Sequence, residues 1–419
     1  MVRRKAYTVM RRNRKKGEPI VIDSEEGFRQ WRDEGAVEFL AEIGAYHNDT
    51  YRVDRFLLDL DPRNDYPLED VKALAREIAD RFARQEWVGE PFIHWMKETL
   101  TENTPYDVWV AELLAAGGPG HAPDNGSTGL LLRDSNMPED SMSNTVRVFL
   151  GTRLECAQCH NHPFERWTQD NYYGIAAAFT RIGRTKGAAA DDEVIYPTNS
   201  GEIKQPRTGQ TMKVHLLLTG DVDVPNDQDR RRVFADWLVK PENPFFARAA
   251  VNRIWGNLMG RGIVEPIDDF RDSNPPSNAK LLDSLASQFS KNNYSRKWAI
   301  KTIMTSRTYQ LSSRKNKFNA DDEIYSSHAT TRLLSAEQLL DAICQVADVP
   351  ESFKGVPAGT RSVSLPEPPA DHYFLKIFGQ PAREMACACE RSNESNLSQA
   401  LQMINGPVVH NKLRADNGR

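Results

Sequence analysis

The chain is poor in cysteine, has no long apolar run and carries no large excess of charge of one sign. Its 419 residues include five cysteines, too few for a fold that disulfide bonds hold together. No apolar stretch approaches the roughly 18–20 residues that a membrane-spanning helix needs. The formal net charge is −4, which argues against a protein that is basic overall and wraps around nucleic acid. These features favour a polar globular protein with two or three domains.

The first 25 residues differ in composition from the rest of the chain. The segment MVRRKAYTVMRRNRKKGE carries eight Lys or Arg residues and no acidic residue before Glu18. We interpret residues 1–25 as a basic, disordered tail, with a contact to nucleic acid or to another anionic surface as the less favoured alternative. No apolar segment follows this tail, so the pattern is not that of a signal peptide.

Apolar residues recur at helical spacing through most of the chain. Helices are predicted from residue 69 to 88 and along most of the sequence from residue 104 to 182 and from 227 to 406. Several starts carry capping signals, namely Thr168 and the pair Ser335 and Gln338. The segment 183–225 is instead richer in Gly, Thr, Pro and Asp, and TMKVHLLLTGDV is its best strand candidate.

These patterns predict a mainly α fold, a multi-helix two-domain protein with a small β-containing connector. The predicted parts are a tail (1–25), a helical domain with the main cysteine motif (26–182), the connector (183–225), a second helical domain (226–413) and a short tail (414–419).

The segment LECAQCHNHPFERW, residues 154–167, holds the most informative motif. Cys156, Cys159 and His160 form the pattern C-x-x-C-H. Two thiols at this spacing can each form a thioether with a vinyl group of haem, and the adjacent histidine then serves as an axial iron ligand. The same spacing also suits a disulfide or a redox-active dithiol, so the motif alone leaves these alternatives open.

A second cysteine pair offers a different ligand set. Cys387 and Cys389 can complete a four-thiolate site with the first pair, and His160 or His162 can replace one thiolate. Tetrahedral zinc needs four such ligands, and an iron–sulfur cluster would use the same thiolates. A structural zinc or iron–sulfur site is therefore the alternative to haem.

The second axial ligand of such a haem is not fixed by the sequence. His162 follows His160 by two residues and would have difficulty reaching the opposite face of the porphyrin. Other candidates share only a suitable residue type, and packing or surface exposure is the favoured explanation of each: Met137, Met142, His372, Met385 and His410.

Other chemistry-bearing patterns are weaker. The Gly-rich segment 117–129 contains His121 but lacks the ending of a phosphate-binding loop. An acidic cluster could hold Ca²⁺ but has no EF-hand spacing, so we expect instead a solvated turn or one paired with Arg253 and Arg261. Its members are Glu265, Asp268, Asp269 and Asp272. No Ser-His-Asp arrangement, GxSxG or HExxH motif is present, and no enzymatic activity is assigned.

Long stretches of the chain resemble one protein family. They are RVFLGTRLECAQCHNHPFERWTQDNYYGIAAAF, ARAAVNRIWGNLMGRGIVEPIDDFRDSNPPSNAKLLDSLA and IFGQPAREMACACERSNESNLSQALQMINGPVV. They resemble bacterial proteins, abundant in planctomycetes, that combine a cytochrome-like C-x-x-C-H domain with a partner domain of unknown function. In these sequences the cysteine motif also comes first and the CxCER block last.

The resemblance implies covalent haem c, with Cys156 and Cys159 as attachment points and His160 as the iron ligand. It also implies a location in the periplasm or cell envelope, although no signal peptide is visible in this sequence. The expected function is that of a c-type haem-binding envelope protein that transfers electrons or supports a redox enzyme. The alternative is a non-catalytic envelope or scaffold protein with a structural zinc or iron–sulfur site. The redox partner and the oligomeric state are not predicted.

Overall fold

The computed structural model describes most of the chain after residue 90. The described residues are 46–47, 50–51 and 90–415 without 121, 123, 134–136, 188–192, 355, 358, 366–367, 370 and 382–395. The predicted tail at residues 1–25 and the predicted helix at 69–88 lie outside them. Backbone contacts divide the chain into two units, Met1–Glu90 and Pro91–Arg419. In the first unit the described residues are two antiparallel strands, β1 (Tyr46–His47) and β2 (Thr50–Tyr51).

The part of the chain described from residue 90 onwards is predominantly helical. Its α-helices are α1 (Glu90–Thr101), α2 (Tyr106–Leu114), α3 (Gly129–Arg133), α4 (Pro138–Leu150), α5 (Gln169–Ala176), α6 (Arg230–Leu238), α7 (Phe246–Met259), α8 (Ala279–Lys291), α9 (Arg296–Met304), α10 (Ala336–Ala347), α11 (Tyr373–Ile377), α12 (Leu397–Asn405) and α13 (Pro407–Leu413). Four short 3₁₀ helices accompany them: Gly126–Thr128, Glu155–Gln158, Ala177–Phe179 and Ser362–Ser364.

The strands of this unit are few and short. They are β3 (Gly118–Pro119), β4 (Ile182–Lys186), β5 (Glu193–Pro197), β6 (Val214–Leu216) and β7 (Gly220–Val222). Strand β5 lies between β3 and β4 and is antiparallel to both, and β6 pairs with β7. The fold therefore has the predicted helical bias with a minor β component, and the strands described form no closed sheet.

Local sequence signals mark several element boundaries. Capping boxes at Thr168 and Ser335 start α5 and α10 as predicted. The strand candidate TMKVHLLLTGDV is instead a hairpin, because the chain reverses between β6 and β7. Leu218 (φ +65°) and Gly220 (φ +102°) both adopt the left-handed conformation there.

One apolar core spans most of the second unit. The ring of Tyr106 on α2 packs against this core and contacts the rings of Trp109, Phe149, Phe246 and Phe289 at centroid distances of 5.7, 6.4, 5.2 and 6.2 Å. Burial raises the pKa of Tyr106 to about 12, so the phenol stays neutral. Because these rings come from both sides of the predicted connector, helices before and after it share this core.

A smaller apolar cluster forms separately from this core. It joins α10, α11 and α13 through Leu340, Phe374 and Leu375, with Val408 and Val409 packed against it. The segment between α9 and α10 connects the two clusters and contains no regular helix or strand. The described apolar interior thus divides after α9, whereas the predicted domain boundaries at 182 and 226 stay predictions.

Gly151 ends α4 and begins the approach to the cysteine motif. Its φ is +64°, and its N–H donates to the carbonyl of Val146. Its own carbonyl accepts a hydrogen bond of 2.8 Å from the N–H of Phe270. A Cβ at this position would lie 2.6 Å from the Phe270 ring, so both conformation and space require glycine.

We expect Gly151→Ala to lower the free energy of unfolding by about 2–4 kcal/mol, through left-handed strain together with the steric conflict with Phe270. The matched control is Gly209→Ala. Gly209 has φ +70° and nothing within 4 Å of an added Cβ, so only the conformational strain of about 1 kcal/mol remains. Denaturant unfolding of both variants measures the difference, and equal losses would contradict the packing argument.

Candidate cysteine and histidine site

The C-x-x-C-H motif begins on the 3₁₀ turn Glu155–Gln158, and Cys159 and His160 follow directly after it. Residues three apart eclipse one another in such a turn, so the motif has two distinct sides. Leu154 and Ala157 are 1% and 0% exposed and belong to the main core. Cys156, Cys159 and His160 are all exposed. The backbone thus turns Leu154 and Ala157 into the core. As a result, both thiols and the imidazole face solvent.

Two buried glutamines stabilise the backbone of the turn through hydrogen bonds. Gln169 Nε2 donates to the carbonyl of Gln158 at 2.9 Å, and the Tyr173 hydroxyl donates to the same carbonyl at 3.3 Å. Gln205 Nε2 then donates to Gln169 Oε1 at 3.0 Å. Gln169 and Gln205 are 5% and 1% exposed, so this chain of hydrogen bonds is shielded from water. The backbone of the motif is thus fixed to the start of α5.

His160 has the tautomer that leaves Nε2 available. Its Nδ1 lies 2.7 Å from the carbonyl oxygen of Asn161, and a carbonyl only accepts hydrogen bonds. Nδ1 therefore carries the proton, and the lone pair of Nε2 is available to a metal ion. A hydrogen bond from the second ring nitrogen to a carbonyl is the usual arrangement in metal-binding histidines.

The ring of His162 carries its proton on the other nitrogen. The N–H of Phe164 donates to His162 Nδ1 at 3.3 Å, so that nitrogen acts as an acceptor and the neutral ring carries its proton on Nε2. His162 is also partly buried, and its own N–H donates to the carbonyl of Trp167 at 2.8 Å. Of the two motif histidines, His160 is the one whose geometry suits axial coordination.

A buried carboxylate fixes the residues on the N-terminal side of the motif. Asp268 is 2% exposed, and Arg153 donates to its Oδ1 at 2.5 Å. Arg147 lies 4.0 Å from Asp268 Oδ2 and also pairs with Glu155, the residue before Cys156. Burial by itself lowers the pKa of Arg153, but the hydrogen bond and the charge of Asp268 raise it overall.

Two members of the acidic cluster, Asp268 and Asp269, pair with arginines, but with different ones from those predicted. Asp268 pairs with arginines on and just after α4, and Asp269 pairs with Arg271 at 3.2 Å. Arg253 instead donates to the carbonyl of Val148 at 3.4 Å. Arg261 has no ion-pair partner among the residues described. The predicted partners were the arginines nearest in sequence. In the fold, Arg153, which lies 115 residues away in sequence, contacts Asp268 instead.

The second cysteine pair lies outside the described residues, as does Met385. A shared site formed by Cys387 and Cys389 with the first pair therefore stays a prediction. Cys156 and Cys159 are free thiols. Within the described ranges no group of three or more His, Cys, Asp or Glu side chains is arranged to hold a metal ion.

The remaining candidates for a second axial ligand are in different environments. Met142 is 0% exposed and packs in the main core. His372 caps α11, where its Nδ1 accepts a hydrogen bond of 3.3 Å from the N–H of Leu375. Met137 is 48% exposed before α4, and His410 is exposed on α13. Packing or capping thus accounts for Met142 and His372.

Two family models match the sequence around these features. Residues 70–184 match PSCyt2, described as a protein of unknown function (DUF1549). Residues 230–419 match PSD1, described as a protein of unknown function (DUF1553). The two matches are consistent with the planctomycete-type domain partnership expected from the sequence, but no cytochrome C-x-x-C-H domain is shown.

Both cysteine pairs fall inside these matches. Cys156 and Cys159 lie in the DUF1549 range, and Cys387 and Cys389 lie in the DUF1553 range. Neither the curated proteins nor the solved structures compared with the chain give a match. In the portion that the structure describes, no helix has the length and apolar character needed to cross a membrane.

We expect Asp268→Asn to lower the free energy of unfolding by about 3 kcal/mol, because it leaves two partly buried arginines without their shared carboxylate. The matched control is Asp283→Asn. Asp283 pairs with Arg248 at 2.6 Å on the surface, where such a pair contributes less than about 1 kcal/mol. Denaturant unfolding tests this, and similar losses in the two variants would contradict a structural role for Asp268.

We also expect Cys156 and Cys159 to be alkylated faster than Cys344 in reduced, cofactor-free protein. Both are exposed, whereas Cys344 on α10 is half-buried and burial raises the pKa of its thiol. Less of the reactive thiolate is therefore present at Cys344. A time course with iodoacetamide, read by peptide mass spectrometry, measures each rate. Modification of Cys344 at the rate of the other two would refute the assigned exposure.

Proposed function

We propose that this chain is a c-type haem-binding protein of the cell envelope that transfers electrons or supports an envelope redox enzyme. The observation that carries the proposal is the arrangement of the C-x-x-C-H turn. Its thiols are free and exposed, and the Nδ1 of His160 is bound to a carbonyl so that Nε2 is available. The resemblance to cytochrome-like family members supports the same conclusion.

The residues present fit haem c. Cys156 and Cys159 would hold it through thioethers, and His160 would coordinate its iron through Nε2. The carbonyl of Asn161 holds the ring in the required tautomer, and Asn161 Oδ1 accepts the N–H of Gln169 at 3.0 Å. Haem bound here would supply one-electron chemistry at the protein surface. The chain's contribution is attachment, orientation and a rigid backbone behind the site.

The exposed position of the site suits both steps that the proposed function requires. Thioether formation needs access by a maturation enzyme, and electron transfer needs access by a redox partner. Phe164 is 77% exposed beside the motif, and the guanidinium of Arg166 lies 4.9 Å from the Trp167 ring. Phe164 and Arg166 are thus an exposed aromatic and an exposed cationic residue that closely follow the motif in sequence. The envelope location follows because covalent haem of this type is attached outside the cytoplasm.

The alternative function is that of a non-catalytic envelope or scaffold protein with a structural metal site. In it Cys156, Cys159, Cys387 and Cys389 hold zinc or an iron–sulfur cluster. Two observations support this alternative. Cys156 and Cys159 are free thiols, and each family match contains one cysteine pair. Haem and this site compete for the same two thiols, so one experiment separates them.

The test is expression of the full chain with an export signal in a host that has cytochrome c maturation enzymes. We expect stoichiometric covalent haem by the pyridine haemochrome assay and by intact mass. The double variant Cys156→Ser/Cys159→Ser should carry none. His160→Ala should alter the absorption spectrum, whereas the matched variant His162→Ala should leave it unchanged.

The variant Cys387→Ser/Cys389→Ser distinguishes the alternative. Under the haem proposal it keeps full covalent haem. Folded, exported protein without covalent haem, whose zinc or iron is lost when either cysteine pair is replaced, would refute haem binding and establish the metal site.

A further inference from the structure

One long segment of the second unit carries positive charge alone. Between Asp283 and Asp321 no acidic residue occurs, although 58 of the chain's 419 residues are acidic. The same segment contains eight Lys or Arg residues, in a chain whose formal net charge is −4. They are Lys291, Arg296, Lys297, Lys301, Arg307, Arg314, Lys315 and Lys317. Among the residues that the structure describes, none of the eight forms an ion pair.

Helix α9, in the middle of this segment, has a buried face and an exposed one. Ala299 and Ile303 are buried and belong to the main core. The exposed side chains follow at helical spacing along the other face and continue just beyond the helix. They form a cationic–apolar surface, whose members are Lys297, Ile300, Lys301, Met304, Arg307 and Leu311.

Half of this surface consists of apolar side chains that remain in contact with water. Ile300, Met304 and Leu311 are 39%, 41% and 40% exposed. Single exposed apolar residues are ordinary at a protein surface. Here, however, they alternate along the chain with the three cations of the surface. The surface therefore offers positive charge and apolar area to the same ligand.

The neighbouring helices do not neutralise these cations. Helix α9 packs against α7, which contains no acidic residue, and against α8, whose single acidic residue Asp283 pairs with an arginine of α7 at 2.6 Å. On α1, Glu98 and Glu102 lie close in sequence to Thr101, whose carbonyl accepts a hydrogen bond of 2.6 Å from the Lys297 ammonium. Neither glutamate forms an ion pair within the described ranges. The charge of the surface is thus available to an external anion.

We propose that the cationic–apolar surface docks the protein on an anionic lipid surface. Its ammonium and guanidinium groups contact headgroup phosphates, while its apolar side chains reach the boundary of the acyl chains. Both contacts fit on one face, because the long stems of lysine and arginine let the charge stay among the headgroups. A nucleic acid backbone would pair with the cations but would gain little from Ile300 and Met304. The docking is independent of haem or metal at the cysteine motif.

The test is sedimentation of the full-length protein with phosphatidylcholine vesicles, with and without about 30% phosphatidylglycerol. In about 0.1 M salt we expect binding to the anionic vesicles to be at least about tenfold stronger than binding to the neutral ones. Most of this binding should be lost in about 0.5 M salt, because salt screens exposed charges.

Charge reversal tests the cations of the surface. Lys301→Glu/Arg307→Glu should weaken binding to the anionic vesicles at least about tenfold, since two groups near the headgroups change from attraction to repulsion. The matched control is Lys204→Glu/Arg207→Glu, which changes the net charge equally. Lys204 and Arg207 are exposed outside the surface, so this control should change the binding less than about twofold.

Serine substitution tests the apolar side chains at constant charge. Ile300→Ser/Met304→Ser should weaken binding to the anionic vesicles at least about fivefold, because it removes apolar area that leaves water on docking. The matched control is Val108→Ser/Val346→Ser, which should change the binding less than about twofold. Val108 and Val346 are 51% and 76% exposed on α2 and α10. Circular dichroism verifies that each variant is folded.

Three results would overturn the proposal. They are a lack of preference for anionic over neutral vesicles, an equal loss of binding in Lys301→Glu/Arg307→Glu and its control, and unchanged binding of Ile300→Ser/Met304→Ser. The last result, together with binding to duplex DNA as tight as binding to vesicles, would identify a nucleic acid surface instead.

Discussion

The buried carboxylate of Asp268 is the interaction on which the arrangement of the cysteine motif depends. A carboxylate this far from water is tolerated only when cations neutralise it, and Arg153 and Arg147 do so from the segment just before the motif. The pairing joins the end of α4 to the loop after α7, and the backbone bond between Phe270 and Gly151 reinforces it. The motif turn therefore begins from a fixed position.

Much of the helical architecture could be predicted because its signals are local. Helical spacing of apolar residues and the capping boxes at Thr168 and Ser335 depend on neighbours within four residues. The C-x-x-C-H motif is likewise recognised from five consecutive residues, although its spacing alone is compatible with haem, a disulfide or a metal site. The single strand predicted within 211–222 is instead the hairpin of β6 and β7. The chain reverses there at Leu218, whose backbone is left-handed, and sequence patterns seldom reveal this conformation for leucine.

The hydrogen bonds and ion pairs that hold the cysteine motif in place could not be predicted, because they join residues that are distant in sequence. Gln205 reaches Gln169 across 36 residues, and Arg153 reaches Asp268 across 115. Nothing in the local spacing of these residues distinguishes them from exposed polar residues.

The outward orientation of the motif has a consequence for assembly. Leu154 and Ala157 belong to the apolar interior, whereas the thiols and the imidazole of the motif lie outside it. In proteins whose metal site forms part of the core, folding and metal binding are a single event. Under the proposed haem function we therefore expect the two events to be separable, with the motif loaded on an already folded surface.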